Sequence, residues 1–379
     1  MDLTLSDDQA ALVELAARIL GDATTPEALA AAEAGGHRFD PVLWARLAQA
    51  DLLGLCLPEA DGGGGYGVLE AALLCQEVGR TAAPVPLWAT LTLGALPVAR
   101  HGSEALRAAL LPRVADGSLV LTAALVEDGS PLPPAVPATT ATLDGDGWVL
   151  RGVKHVVPAA HLAGAGVNVR ALVPAATGEG ASTVFVVEVA GAGTERELQV
   201  GTDLEPLSTL VLDGARVAGA DVVGAVGDGA EVTATITALG TAGICARQAG
   251  TCAAALRLAA AYTSEREQFG AKIATFQAVA HRLADAYIDT EAIRLTSTHA
   301  AWLLDEGLPA EEALAVAKVW ATEGAQRVVH GAQHVHGGVG VDTDYPLHRF
   351  FRAAKAAEHV LGTAHPHLVA LGARIVGAA

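Results

Sequence analysis

Four cysteines, one methionine and 4% aromatic residues are all that this 379-residue chain has of those types. The cysteines, Cys56, Cys75, Cys245 and Cys252, show no Cys-x-x-Cys spacing. That excludes a disulfide framework and a zinc ribbon. Cys245 and Cys252 lie two helical turns apart and read as core residues. Basic residues are also scarce, 24 against 42 acidic, and the formal net charge of -18 argues against a nucleic-acid partner. No long uninterrupted apolar run exists: the longest charge-free stretch, 81–99, carries Pro84, Pro86, Gly94 and Pro97, so no membrane association is expected. Met1-Asp2-Leu3 followed by Asp7 and Asp8 places acids where a signal peptide needs cations, and the expected location is the cytoplasm. Neither Gly-x-Gly-x-x-Gly after a strand nor Gly-Lys-Ser/Thr occurs, and the tract 62–65 reads as a turn.

What is present is ample apolar material. With 51% hydrophobic and 17% charged residues, the chain should bury about three quarters of its unfolded surface in two or three domains. The first third is helical. Ser6 reads as an N-cap with Asp7 and Asp8 in the first turn, and Leu12, Leu15, Ala16, Ile19 and Leu20 follow at helical spacing. An apolar run over 42–57 ends at Pro58, and a helix over 69–78 is expected to end with Gly79 as its C-cap. From about Leu121 the texture is β, with strands over 148–157 and 183–189 and a hairpin signal in Asp144-Gly145-Asp146-Gly147. After the glycine-rich linker 224–229 the helical period returns, as in Ala280, Leu283, Ala284, Tyr287 and Ile288, and four long helices suggest a bundle.

Three constellations could carry chemistry. Seven of the 13 histidines fall in the last quarter (His330, His334, His336, His348, His359, His365, His367), but no His-Glu-x-x-His pattern accompanies them and no metal is expected. Gly337-Gly338-x-Gly340, beside His334 and between two helices, could bring backbone N–H groups near a phosphate. Arg266-Glu267-Gln268-Phe269-Gly270 followed by Phe276-Gln277, at a turn between long helices, offers an arginine for pyrophosphate and an aromatic ring for stacking; a solvated helix end is the alternative.

Together these pieces resemble the acyl-CoA dehydrogenase family over nearly the whole chain. Gly54-Leu55-Cys56-Leu57-Pro58-Glu59 and Glu77-Val78-Gly79-Arg80 follow its helical opening. Arg266, Phe269-Gly270, Phe276-Gln277, His336-Gly337-Gly338-x-Gly340, Tyr345-Pro346 and Arg349 follow its C-terminal bundle. The resemblance implies an α+β fold: an N-terminal helical domain over 1–118, a middle β domain over 119–224 and a C-terminal four-helix bundle over 225–379. It also implies FAD across a subunit interface, with Arg266, Phe269, Gln277, His334, Gly337 and Gly338 meeting the cofactor. At 334 the family's glutamine is replaced by histidine, with Gln333 beside it.

The family reaction needs a carboxylate to take the α proton of a CoA thioester while a hydride leaves the β carbon. The usual position of that glutamate, nine residues after Arg352, is Leu361 here, and the alternative family position falls at Gly240. No catalytic residue is therefore expected; Glu358, a turn before Leu361, is not expected to replace it. The family's flavin-packing Trp-Ile-Thr/Ser aligns with Val156-Val157-Pro158, and the loop Val126-Glu127-Asp128-Gly129-Ser130 lacks the family's following aspartate. Bacterial steroid side-chain acyl-CoA dehydrogenases, built of two unlike subunits, resemble this pattern, and the string from Gly337 to Arg349 is similar to that branch. The expectation is an α2β2 complex in which a homologous catalytic subunit binds most of a sterol side-chain acyl-CoA and passes electrons to an acceptor. A homomeric acyl-CoA enzyme with a non-dehydrogenase reaction, or a flavin-free acyl-CoA-binding protein, are the alternatives.

Overall fold

The structure, a computed structural model, describes residues 4–129, 132–134 and 136–377. Met1-Asp2-Leu3 and Ser130 lie outside the described residues.

Helix α1 (Asp7–Ala23) opens on a capping box: Ser6 Oγ accepts from the Gln9 N–H and Gln9 Oε1 from the Ser6 N–H. Its buried residues, Leu12, Ala16, Ile19 and Leu20, are four of the five apolar positions in the sequence pattern. Helices α2 (Pro26–Ala34) and α3 (Pro41–Gln49) follow, the latter capped by Asp40, which accepts from Val42 N and Leu43 N. The glycine tract is a turn, because a Cβ on Gly63 would sit 2.2 Å from the Leu57 carbonyl oxygen.

Helix α4 (Val68–Thr81) does not end at Gly79. A Cβ there would lie 1.9 Å from the Arg247 carbonyl oxygen, and one on Gly250 would lie 1.9 Å from that of Gln76. The glycine that reads as a stop signal is a crossing point where two backbones touch. A π-helical turn (Ala89–Ala95) runs into α5 (Leu96–His101), and α6 (Glu104–Ala115) completes the helical opening.

Among the described residues, eight strands form one sheet: β1 (Val120–Ala123), β2 (Thr140–Asp144), β3 (Gly147–Pro158), β4 (Val169–Gly178), β5 (Ala181–Glu188), β6 (Thr194–Val200), β7 (Pro206–Ala218) and β8 (Val222–Val223). Their order is β6-β7-β3-β2-β4-β5-β8, with β1 parallel to β4. The Asp-Gly-Asp-Gly segment makes the β2–β3 hairpin, Asp144 pairing with Gly147.

The C-terminal helices are α7 (Gly229–Glu265), then, after a short hairpin β9 (Glu267–Gln268) and β10 (Ala271–Lys272), α8 (Gln277–Asp305), α9 (Glu311–Val319), α10 (Ala325–His336), α11 (Leu347–His359) and α12 (Ala364–Gly377). Of the periodic positions in α8, Ala280, Ala284, Tyr287 (59%) and Ile288 (62%) are exposed, while Leu283 is partly buried and packs against the core. The buried face carries Ala286, Asp289, Thr290, Ile293 and Ser297. That face mixes apolar and polar groups. Asp289 is satisfied there by a bidentate pair with Arg327 at 2.7 and 2.8 Å.

The chain divides into two compact units. One comprises the chain up to Leu29, Ala72–Ala83 and the chain from Thr241 onward; its core includes Ala82, Ala255, Ala259, Ala332, Ala354 and Phe350. Alanine at so many core positions lets helices approach closely. The other, Ala30–Ala71 with Pro84–Gly240, holds the sheet, where Trp148 and Phe185 pack with ring centroids 5.4 Å apart. Among the described residues no helix is long and apolar enough to cross a membrane.

Candidate functional site

The turn after α7 is a two-residue hairpin. Gln268 pairs with Ala271 and Glu267 with Lys272, leaving Phe269 (φ 53°) and Gly270 (φ 76°) at the tip. The Phe269 ring is 95% exposed, and its only aromatic neighbour among the described residues is Phe276, edge-on at 6.3 Å between centroids. Lys272 secures the base by donating to the Glu265 carbonyl oxygen at 3.0 Å, and Ile273 N donates to Arg266 O. The exposed Arg266 guanidinium has no carboxylate partner among the described residues. Gln277 opens α8 on the surface, its side-chain nitrogen 3.5 Å from His281 Nε2.

An aromatic cluster ties the end of α7 to the end of α10. Tyr262 stacks on His336 at 4.4 Å, and Tyr345 packs 5.0 Å from His336. His336 Nδ1 is 2.7 Å from the Ala332 carbonyl oxygen and Nε2 is 3.0 Å from Tyr345 Oη. A carbonyl only accepts, so Nδ1 carries the proton. Burial pushes the His336 pKa down, so the ring is neutral and Nε2 accepts from the Tyr345 hydroxyl. This fixes the start of the Gly337–Val341 turn.

Gly337 takes φ 62° and ψ -136°, and a Cβ on Gly337 or Gly338 would meet nothing within 4 Å. The Gly337 N–H is already engaged by the Gln333 and His334 carbonyls, so it is not a free phosphate donor. A cavity of about 260 Å³ is lined by Phe269, Phe276, Arg282 and His334 among others. It brings Phe269 and His334 together, while Arg266, Gln277, Gly337 and Gly338 lie outside its lining. Sequence reading missed Arg282 and Tyr262: both sit within helices with no motif to flag them.

Leu361 follows α11 in a left-handed turn (φ 54°, then Gly362 at φ 87°) and is 7% exposed. Its carbonyl accepts from His367 Nε2 at 2.9 Å. Glu358 is engaged by Lys355 at 2.5 Å. Below them the buried Lys318 ammonium donates to the Ala357 carbonyl oxygen at 3.0 Å, capping α11, and burial pushes its pKa down to about 8. Gly240 is buried within α7, and its carbonyl accepts from Trp88 Nε1 at 3.0 Å. Neither Leu361 nor Gly240 can accept a proton through a side chain.

In β3 the register shifts between Lys154 and Val157, and Val156 is driven to φ 53° with its side chain facing solvent. Pro158 has no N–H, and its carbonyl accepts from Thr122 Oγ1 at 2.8 Å. The Val126 loop is held by Glu127, which pairs with the buried Lys154.

Burial pushes the Cys75 and Cys245 thiols up to about 12. Among the described residues no three His, Cys, Asp or Glu side chains are grouped to hold a metal. His348 Nδ1 is 2.7 Å from the Tyr345 carbonyl oxygen, and His330 packs edge-on to Phe351.

Comparison with known proteins bears on this arrangement. The family model for the acyl-CoA dehydrogenase N-terminal domain matches residues 6–118, and that for the C-terminal domain matches 227–376. The acyl-CoA dehydrogenase FadE27 of Mycobacterium tuberculosis is 37% identical, with 98% of each chain covered. Among solved structures, a point variant of the Tcur3481-Tcur3483 steroid ACAD is 40% identical with a TM-score of 0.89. The ChsE4-ChsE5 complex from Mycobacterium tuberculosis is 36% identical with a TM-score of 0.91. Each of these two matches covers 99% of both chains.

Proposed function

Because the chain belongs to the acyl-CoA dehydrogenase family, we propose that it is the non-catalytic subunit of a two-chain dehydrogenase and lends part of an FAD site to a homologous catalytic partner. The observation that carries this reading is the pairing of a base position occupied by buried Leu361 with an intact, exposed Arg266–Phe269 hairpin.

The fit to FAD is half a fit. On one side, an Arg266 guanidinium with no carboxylate partner among the described residues, an exposed ring at Phe269 and the open glycines 337 and 338 suit a diphosphate and an adenosine approaching from outside. Gln277 and His334 supply polar edges beside them. On the other side, Pro158 has no N–H to offer a flavin ring, and the register shift at Val156 departs from regular pairing beside it. When bound, FAD accepts the hydride that leaves the β carbon of a CoA thioester. This chain's residues then hold and orient: Arg266 neutralises phosphate charge, Phe269 covers a ring, and the partner supplies the α-proton base.

The similarity to the steroid ACAD and to the ChsE4-ChsE5 complex supports a sterol side-chain acyl-CoA as the substrate, bound mainly by the partner, and an α2β2 assembly. The same reading keeps three domains, 1–118, 119–224 and 225–379, a cytoplasmic location and a separate electron acceptor. The test is flavin stoichiometry. The chain purified alone should hold little flavin and show no acyl-CoA dehydrogenation, and the co-expressed tetramer should hold two FAD. Rapid anaerobic bleaching of bound flavin by an acyl-CoA, with this chain alone, would overturn the proposal.

A further inference from the structure

Arg282 belongs to two hollows at once. It lines the cavity of about 260 Å³ under the hairpin and also a larger groove of about 700 Å³ between α8 and α10. Ala278 is the other residue common to both, so the two hollows adjoin along this stretch of α8. Their walls differ in kind. The cavity is walled by Phe269, Ile273, Phe276, Val279 and Val335, whereas the groove carries His281, Asp285, Asp289, Arg327 and His330.

The two arginines of the groove are not equivalent. Arg327 is committed, since it forms the bidentate pair with Asp289 and lies 5.7 Å over the Trp320 ring. Arg282 is exposed and makes no hydrogen bond or ion pair among the described residues. Asp285, three residues on in the same helix, also lines the groove and forms no ion pair with it. The Arg282 stem does have a place: its Cγ and Cδ lie 3.4 and 3.8 Å from where a Cβ on Gly331 would stand, so the aliphatic part rests against α10. That leaves a guanidinium with a supported stem and five unspent donors at the margin between an aromatic cavity and a polar groove.

We propose that Arg282 is a second phosphate-binding residue of this chain, acting with Arg266 on the diphosphate of FAD. The inference rests on the FAD half-site proposed above and adds to it a residue that no motif marks. An apolar, partly aromatic cavity suits a purine ring. A purine nucleotide carries its phosphate one ribose away from that ring, and Arg282 stands where the cavity gives way to the groove. The diphosphate brings two negative charges, of which Arg266 answers one. The planar fork of an uncommitted arginine matches the oxygens of the other phosphate. In a chain of net charge -18, a cation left without a carboxylate in such a place favours an anionic ligand.

The test is FAD affinity, read from flavin fluorescence as FAD is titrated into the flavin-depleted co-expressed complex at several salt concentrations. Arg282→Gln should weaken FAD about tenfold and make the remaining binding less sensitive to salt, because one charge contact has gone. Arg282→Lys keeps the charge without the fork, and should keep the native salt dependence even where affinity falls. Arg266→Ala, measured beside them, separates the two levels of the argument. If Arg266→Ala weakens FAD and Arg282→Gln leaves either its affinity or its salt dependence unchanged, the role of Arg282 is overturned and the half-site stands. If neither variant changes FAD affinity, both are overturned.

Discussion

Lys154 Nζ stands 2.7 Å from Glu127 Oε1, with the lysine side chain wholly shut off from solvent. The carboxylate also accepts from Ala138 N at 2.6 Å, Thr139 N at 2.9 Å and Thr139 Oγ1 at 2.6 Å. Burial raises the Glu127 pKa, but these four donors outweigh it and hold the group at about 2. One ion therefore closes the loop between β1 and β2 against β3.

Lys154→Met should destabilise the protein by about 3–5 kcal/mol at neutral pH, because it leaves Glu127 charged and buried without its cation. The native protein should show the opposite sensitivity. A carboxyl whose folded pKa is depressed contributes stability above its unfolded value of 4.5 and loses it as pH falls toward 2. Urea midpoints at neutral pH and at about pH 3 check both: acidification should cost the variant less than the native chain.

Gly79→Ala should cost about 2–3 kcal/mol, since the new Cβ would lie 1.9 Å from the Arg247 carbonyl oxygen and backbone cannot yield cheaply. Gly372→Ala in α12, where nothing lies within 4 Å, should instead stabilise by about 0.5–1 kcal/mol. Thermal melts of the two variants should move in opposite directions; equal shifts would contradict the crossing assigned to Gly79.

Arg266→Ala in the co-expressed complex should weaken FAD by about one to two decades, the value of about 1.5–3 kcal/mol for a charge-assisted contact. Flavin content and turnover should fall together while gel filtration shows an unchanged assembly. An unchanged FAD affinity would remove Arg266 from the site.

Leu361→Glu should not confer turnover on this chain alone. The carboxylate would enter a left-handed position at φ 54°, and Pro158 would still offer no backbone N–H on the flavin side. Measurable acyl-CoA oxidation by the single variant would contradict the role given to β3.

Local signals carried much of the fold. The Ser6 capping box, the Asp144–Gly147 hairpin and the β texture of 148–157 are short-range chemistry, and each forms where its residues stand. Gly79 was not legible, because a helix stop and a helix crossing use the same residue and differ only in what lies opposite. The α8 period marked a helix, and a helix forms there, but of its five positions only Leu283 packs against the core: periodicity reports that one face is apolar, and only packing reports whether that face is covered. At the site, the hairpin motif announced Arg266 and Phe269. Tyr262, Arg282 and Lys318 act through neighbours distant in sequence, which spacing cannot reveal.

Phe269 stands at a backbone position its own side chain does not favour. A left-handed φ of 53° costs a bulky residue about 1–2 kcal/mol relative to what glycine or asparagine would experience in the same turn. With 95% of its surface in water, the ring recovers almost nothing from packing within the chain. Judged as a monomer, the hairpin is frustrated at its tip. On the proposed role, a group bound against the ring would offset that strain and exposure, and the chain with its site filled should then unfold at a higher temperature than the chain alone.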